Sequence, residues 1–577
     1  MKKKLLSLCL VLVLLAGLIP ASFAEDSVTL IKPVFEEVTS GEKATLPFHV
    51  HSAQSSLSIE VLFLNGETGI PFVNAQTICD MMGAIYQFED MESMTLTAEQ
   101  EGDVVIFTRE NGSSAFLDLE SKVLFFTDYD LFVATPIAVN GLDVVWTGSA
   151  DEHAYLIGHK AISYRNGENV SFDLSDYEIP VVEWEGVVYL PLQTASDLFF
   201  ASVGDPTLYN GERVMVISSG VITEGEESDL YYSAPDRTKS QAMVQFTYNE
   251  LCLALDAHYG LKDEHEITDF DALFLETGLA EQLYSQDSDD TYRGLFTLTM
   301  ALFNDGHSAV TAAAKSTEIP MKYEETFSSV FLFLKTYVAM AKYKNARNTY
   351  YPDGAVGYEE VGNTAYITFD AFTLDTTKDY YNIELTNTTT DTVELLLYAH
   401  QQITREDSPI RNVVVDLTNN LGGAADAAMC LVSWILGQST LNLQDMLNHA
   451  QASTMYAFDG NLDRIYDSET DSVSNLRCFC LISPVSFSCG NLVPSAFKAS
   501  DSVTLIGRPT SGGACIVQPL TTADGCMFQI SGRLRVNTRQ NGSYQSVDTG
   551  VEPDIYITNI ENLYDRESLT DYLNSLY

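Results

Sequence analysis

Beyond Gly357 the sequence alternates between short apolar strands and apolar helices, and this alternation limits the fold more than any other feature of the chain. NTAYITFDAF reads as a strand, TVELLLYAHQQI as a helix and NVVVDLT as a strand. AADAAMCLVSWIL (helix), RCFCLISP (strand), LVPSAFKAS (helix) and SVTLIG (strand) continue the series. Strands separated by helices cannot be joined as hairpins. The expected arrangement is a parallel or mixed sheet covered by helices.

The chain has 577 residues, room for several domains at roughly 150 residues each. Between Ser240 and Phe303 the apolar spacing is helical, as in MVQFTYNELCLALDAHYGL and TYRGLFTLTMALF, and predicts a small helical bundle. The polar, acidic stretch GVITEGEESDL from Gly220 to Leu230 reads as a linker. From Ser27 to Gly220 the pattern is one of short strands, turns and few helices. Two stretches there, Gly69 to Thr97 and Tyr177 to Ile217, are alike: each has an apolar strand, a short helix and another strand. The expected fold class is therefore multi-domain α+β. It comprises an N-terminal α/β repeat module (25–222), a helical subdomain (231–345) and a C-terminal α/β domain (355–577).

The first residues read as a secretory signal. Lys2, Lys3 and Lys4 precede an apolar run from Leu5 to Ile19, and small residues Ser22 and Ala24 flank Phe23 after Pro20. Cleavage is expected after Ala24. The run is shorter than the roughly 20 residues of a spanning helix, which weighs against the alternative of a membrane anchor. Cys9 stands in the run without a clear lipoprotein box. The expected location is secreted or extracellular. The net charge of −49 argues against a nucleic-acid partner and against electrostatic docking on anionic lipid; solubility is its plain explanation. Of nine cysteines, eight survive cleavage, and six fall between Cys430 and Cys526 inclusive. An exported chain can form disulfides, but one this large does not need them. Cys478 and Cys480 form a CxC pair, a weak metal signal. There is no C-x-x-C pair and no H-E-x-x-H, and His153 and His159 are isolated, so no metal and no cofactor are expected.

Three segments could carry chemistry. In VVVDLTNNLGGAADAAMCLVSWIL a strand ends at Leu417, and a polar loop with Gly422 and Gly423 leads into a helix. Glycines there let backbone N–H groups approach a ligand, although an ordinary strand-to-helix loop would look the same. In CFCLISPVSFSCGNLVPSAFK a strand runs into Ser488, Cys489 and Gly490 before a helix. A sharp turn there exposes the Ser488 hydroxyl and puts the Cys489 N–H and the positive helix end beside a developing oxyanion. The alternative is a serine that caps an ordinary helix. The string differs from G-x-S-x-G only at its first position, yet an α/β-hydrolase order is excluded: a histidine must follow the serine, and the last histidine is His449. Upstream, LFTLTMALFNDGHSAVT sets His307 after an apolar helix and an Asp-Gly turn, aimed into a cleft or simply exposed. His400 lies in a helix and His449 in a loop, and His258 and His265 read as surface positions.

The two N-terminal segments, GIPFVNAQTICDMMGAIYQFEDMESMTLT and YEIPVVEWEGVVYLPLQTASDLFFASVGDPTLYNGERVMVI, resemble the copper amine oxidase N-terminal-like domain, a non-catalytic module; no residue here suggests copper. From Leu230 to Ile557 the chain resembles the tail-specific (C-terminal processing) serine peptidases. The motifs NDGHSAV, VVVDLTNNLGG, VSFSCGN, LIGRPTSGGACIVQ and GVEPDIYI occur in that family's order. The processing branch has a catalytic lysine where this sequence has Gly513. Lys498 is not the matching position, and no PDZ module is evident. Both departures are similar to the tricorn-like branch, in which histidine is the base. The resemblance implies a ClpP/crotonase-like fold and Ser488 as nucleophile. It further implies His307 as base, an oxyanion hole from the N–H groups of Gly422 and Cys489, Asp548 as supporting acid, and peptide or protein substrates. Two other readings stay open: an inactive peptidase-fold binding or scaffold protein, and a chain whose N-terminal half is the active part through contact with cell wall or glycan.

Overall fold

The computed structural model describes residues 29–577 apart from 51–56, 88–94, 134–155, 218–221, 223–224, 234–237, 314–330 and 541–542. The expected signal segment (1–24) and His153 lie outside the described residues.

Two sheets form the N-terminal part. Strands β1 (Gly41–Val50), β2 (Leu57–Leu64) and β3 (Glu67–Asn74) are followed by helix Ala75–Gln87. Then come β4 (Leu96–Glu101), β5 (Val104–Arg109), β6 (Ser114–Asp118), β7 (Val123–Phe126), β8 (Ile157–Arg165) and β9 (Val170–Asp173). Last are β10 (Val182–Trp184), β11 (Val187–Pro191), β12 (Thr207–Tyr209) and β13 (Val214–Val216). One sheet has the order β10-β11-β3-β2-β1-β13-β12 and the other β4-β5-β6-β7-β9. Both close on one core in which Phe107, Phe126, Phe132 and Phe199 meet edge to face. The two similar stretches give β3 with helix Ala75–Gln87, and β11 with a helix at Leu192–Ala195 that runs on as a π-turn over Ser196–Phe200.

The helical section contains Gln241–His258, Phe270–Thr277 and Ser288–Thr297, each capped by the side chain expected of its first residue: Ser240, Asp269 and Asp287. Two expectations change here. The linker does not stay open: Glu226–Tyr232 is helical, and the buried Tyr231 donates to the carbonyls of Ala313 and Gly525. His258 is not on the surface. It is fully buried, with Nε2 on the Asp197 carbonyl at 2.8 Å, because it ends a helix whose residues pack into both the N-terminal core and the helical core.

The C-terminal strands are β14 (Ala309–Ala312), β15 (Tyr358–Val361), β16 (Thr364–Thr368), β17 (Asn412–Asp416), β18 (Ser439–Asp445) and β19 (Gln451–Phe458). Beyond them lie β20 (Arg477–Ile482), β21 (Val503–Gly507), β22 (Cys515–Thr521), β23 (Met527–Gln540), β24 (Ser543–Ser546) and β25 (Ile555–Tyr556). Six form a sheet of order β15-β16-β17-β20-β21-β25, parallel except for the edge strand β15. The apolar runs are explained by burial on both faces. Val413, Val415, Cys478 and Cys480 point toward helices Thr392–Ile403, Ala425–Leu436 and Cys489–Ser500. Val414, Phe479 and Leu481 point toward helices Phe331–Tyr350 and Arg566–Ser575. Strand β17 is thus covered twice, as the sequence VVVD requires.

A second, antiparallel sheet of order β14-β23-β18-β19-β8, with β22 and β24 also on β23, draws strands from all parts of the chain. Here β8 comes from the N-terminal region and β14 directly follows His307. Arg533 on β23 joins Asp130 (2.9 Å) and Asp445, all three fully or almost fully buried, and its guanidinium lies 4.7 Å from the Tyr129 ring centre. The eight cysteines of the described residues are buried free thiols.

A second buried polar group sits where these parts meet. Gln193 Nε2 donates to Asp197 Oδ1 (3.0 Å) and to the Thr521 carbonyl (2.9 Å), and Thr194 Oγ1 donates to Glu250 Oε2 (2.8 Å). Burial pushes both carboxyls up, Glu250 to about 7, and the Glu250 charge pushes Asp197 further. A raised folded-state pKa holds the proton in the folded protein. Its stabilisation is complete below the ordinary carboxylate range and is lost as pH rises through about 7. The melting temperature should therefore fall as pH rises from about 4.5 to about 7. Glu250→Gln, which keeps the acceptor for Thr194, should flatten that fall; an unchanged slope in the variant would refute the assignment.

Candidate active site

Strand β20 ends at Ile482, and the next six residues turn the chain into helix Cys489–Ser500. Two serines of this turn bind backbone: Ser483 Oγ reaches the Thr418 carbonyl at 2.6 Å and Ser486 Oγ the Leu417 carbonyl at 2.7 Å. Ser488 differs. It has φ 55° and ψ −124°, a conformation normally left to glycine, and its side chain makes no capping bond. Its carbonyl accepts from the N–H groups of Asn491 and Leu492, each at 2.8 Å, while its own N–H donates to the Gly512 carbonyl at 2.9 Å. The helix-capping alternative is thereby set aside: the hydroxyl at the helix start is not used to cap it.

The glycine turn after β17 lies directly against this residue. A Cβ on Gly422 would stand 2.7 Å from Ser488 Cβ and 3.0 Å from the Cys489 nitrogen. Gly422, at φ +105°, therefore lies against both groups, where a side chain would not fit. Asn420, fully buried, organises the turn. Its Oδ1 accepts the Gly422 N–H at 2.9 Å, its Nδ2 donates to the Phe369 carbonyl at 3.2 Å, and its carbonyl accepts the Phe487 N–H at 3.2 Å. This departs from the sequence expectation, since the Gly422 N–H is engaged within the turn. Gly423 forms an isolated parallel bridge with Phe372, in which the bonds run through Gly422 O and Ala424 N, and its own N–H has no partner among the described residues.

His307 follows a helix that ends with Asn304 in the left-handed region and an Asp-Gly turn. Its ring centre is 4.7 Å from that of Phe487. Gly306 and Gly513 also press on Phe487: a Cβ on either would come within 2.6 Å of the ring. Phe487 is thus clamped between three loops, and the clamp brings His307 beside the residue that precedes Ser488. A side chain at Gly513 would collide with the ring. Lys498 is elsewhere, in an ion pair with Asp554.

His307 is buried, and its Nδ1 has no hydrogen-bond partner. Burial pushes its pKa below the usual 6.5, while the charges of Asp305 and Asp548 oppose that shift. No hydrogen bond joins His307 to Ser488. Asp548 lies behind the GRPTSGGA loop, with Oδ1 on the Ala514 N–H at 2.9 Å, and it makes no hydrogen bond to the imidazole. The structure therefore gathers Ser488, Cys489, Gly422 and His307 about one place and sets Asp548 within electrostatic range. Sequence reading passed over Asn420, Phe487 and Asp305. Asn420 and Asp305 lie inside the very motifs quoted, and their side-chain bonds within the loop are the signal that spacing does not reveal.

Residues 363–557 match the profile of peptidase family S41. The match takes in Gly422, Ser488, Cys489 and Asp548, and it starts after His307. No curated protein matches the chain. Solved structures similar to it include a lipoprotein from Streptococcus agalactiae at 15% identity and TM-score 0.35, covering 57% of this chain and 96% of that one. The photosystem II D1 C-terminal processing protease has 16% identity and TM-score 0.25, covering 36% and 46%. The tricorn protease has 10% identity and TM-score 0.33, covering 83% and 46%.

The backbone at Ser488 yields a direct test. Ser488→Gly relieves a Cβ from a conformation that costs about 1–3 kcal/mol, and glycine's larger folding entropy returns part of that gain. Thermal denaturation should show Ser488→Gly more stable than Ser488→Ala by about 1 kcal/mol. Equal stability would mean that the turn carries no strain.

Proposed function

We propose that the chain is an exported serine peptidase with Ser488 as nucleophile and His307 as base. The observation that carries this reading is the Ser488 hydroxyl. It makes no capping bond on a strained strand-to-helix turn, with the side-chain-free Gly422 packed against it. Functional strain of this kind fits a residue presented to substrate.

A peptide carbonyl enters beside Gly422. His307, kept neutral at pH 7 by burial, takes the Ser488 proton as Oγ bonds to the carbonyl carbon. The oxyanion lies at the start of helix Cys489–Ser500, where the Cys489 N–H and the positive helix end favour it. Because Asn420 holds the Gly422 N–H, the unengaged N–H of Gly423 is the second donor in this reading. Loss of one such donor costs roughly 10²–10³ in rate. Protonated His307 returns its proton to the leaving amine, and water then releases the acyl group by the same steps reversed. His307 must close on Ser488 when substrate binds, since catalytic hydrogen bonds often tighten only in the complex. Export rests on the N-terminal signal pattern. Among the described residues no helix is long and apolar enough to cross a membrane.

A second reading, an inactive peptidase-fold binding protein at the cell surface, draws support from the missing His307–Ser488 bond and the unpartnered Nδ1. Incubation with a serine-directed fluorophosphonate separates the two. Labelling should occur in the mature protein, vanish in Ser488→Ala and fall sharply in His307→Ala. Its rate should rise with pH along a limb centred below 6.5, because the base works only when neutral. A folded protein that takes no label would sink the peptidase reading.

A further inference from the structure

The supporting acid of this site is not given by hydrogen bonding to the imidazole, because Nδ1 has no partner. The geometry around Asp305 offers another answer. Its Oδ1 accepts the backbone N–H groups of His307 (3.0 Å) and Ser308 (2.8 Å). Its Oδ2 accepts the hydroxyls of Ser308 (2.8 Å) and Tyr259 (3.2 Å). Four donors converge on one carboxylate.

The donors are themselves fixed. Tyr259 is buried, stacked on Phe303 with ring centres 3.9 Å apart at 13°, and bridged to Gly532 of β23. Ser308 Oγ accepts the Ser531 N–H of the same strand at 3.1 Å. Gln529, also on β23, donates to the His307 carbonyl at 2.7 Å. The carboxylate two residues before the base is therefore anchored to the helical section on one side and to the antiparallel sheet on the other.

We propose that Asp305 is the positioning carboxylate of the site: tied by Tyr259 and Ser308, it sets the His307 backbone and supplies through space most of the negative charge that stabilises the protonated imidazole. The inference rests on the Ser488–His307 reading and specifies how its base is supported. Asp548 contributes a smaller share, with one oxygen committed to Ala514. The other charged and titratable groups around this cluster are spoken for or turned away. Arg535 is held by Glu264 and the Gly260 carbonyl, Cys515 is buried next to Arg535, and His265 Nδ1 stands 3.4 Å from the Tyr259 hydroxyl. Burial and the Asp305 charge together push the Tyr259 phenol up, so Tyr259 stays a donor. The same two carboxylates are the charges that oppose the burial of His307, Asp305 ahead of Asp548.

Asp305→Asn isolates the charge, because asparagine keeps the side-chain oxygen that caps the turn. The test follows the titration of His307 by NMR of histidine-labelled protein, assigned with His307→Ala, in the Ser488→Ala background so that it needs no turnover. The midpoint should fall by about one unit in Asp305→Asn and by less in Asp548→Asn. In parallel, kcat/KM for a peptide substrate should drop about tenfold at its plateau, less than the roughly 10²–10⁴ of losing a general base. Its acid limb should move to lower pH. Asp305→Ser, whose hydroxyl can also cap the turn, serves if the asparagine variant does not fold. Tyr259→Phe leaves the charge and should not lower the midpoint. An unchanged midpoint in Asp305→Asn, a larger fall in Asp548→Asn, or a fall in Tyr259→Phe would each overturn the inference. A wild type inert to peptides and to the fluorophosphonate would instead remove the peptidase reading, and the midpoints would still decide the role of Asp305.

Discussion

The backbone reversal at Ser488 is held from both sides by neighbouring loops. The Gly512 carbonyl takes the Ser488 N–H and the Asn420 carbonyl takes the Phe487 N–H, while Gly490 lies so close to Asn420 that a Cβ would come within 2.5 Å of its carbonyl oxygen. None of these bonds is unusual alone. Together they fix a residue in a conformation that an isolated chain would leave at once, because the cost is spread over several neighbours that cannot move separately. Asn491 extends the arrangement: its amide donates to the Val547 carbonyl, and its oxygen accepts from Thr510. The segment carrying Asp548 is so brought behind the loop that carries Gly512.

A second level of order comes from the antiparallel sheet. The parallel sheet alone positions Ser488 and the glycine turn, since both follow the carboxyl ends of adjacent strands β20 and β17. His307 belongs to a different part of the chain and reaches the site only because β14 pairs with β23. The buried Arg533 group acts on the same strand. An arginine left there without Asp130 or Asp445 would be an uncompensated charge, at a cost of about 3–5 kcal/mol. The registration of β23 against the N-terminal part and β18 is therefore strongly specified, and His307 is registered with it.

The parallel sheet was legible in sequence because burial on both faces leaves a signature of continuous apolar strands separated by amphipathic helices; Val413, Val414 and Val415 are the clearest case. The strand-to-helix turn at Ser488 was legible for the same reason. What spacing could not express was long-range pairing. Nothing in IGHKAISYR announces that it joins β19, nearly three hundred residues later. His258 looked like a surface histidine because a helix buried all round has no polar face to contrast with. The Gly422 N–H looked available because a sequence shows a glycine turn but not the asparagine amide that satisfies it from two residues away. Asp305 drew no notice because an Asp-Gly pair reads as a turn, and spacing does not show its bonds to the His307 and Ser308 N–H groups.

The pairing of β8 with β19 bears on how the molecule can be divided. β19 is an alternating strand, QASTMYAF, whose outer hydrogen-bonding groups are covered by β8 alone. A fragment beginning after the N-terminal sheets would present that row of bare N–H and carbonyl groups to solvent as an adhesive edge. Such an edge recruits the nearest extended segment, including the β8 of an intact neighbour. Proteolytic trimming ahead of the helical section would thus leave a species prone to strand exchange, so the N-terminal part is a lasting partner of the C-terminal sheets and not a detachable appendage.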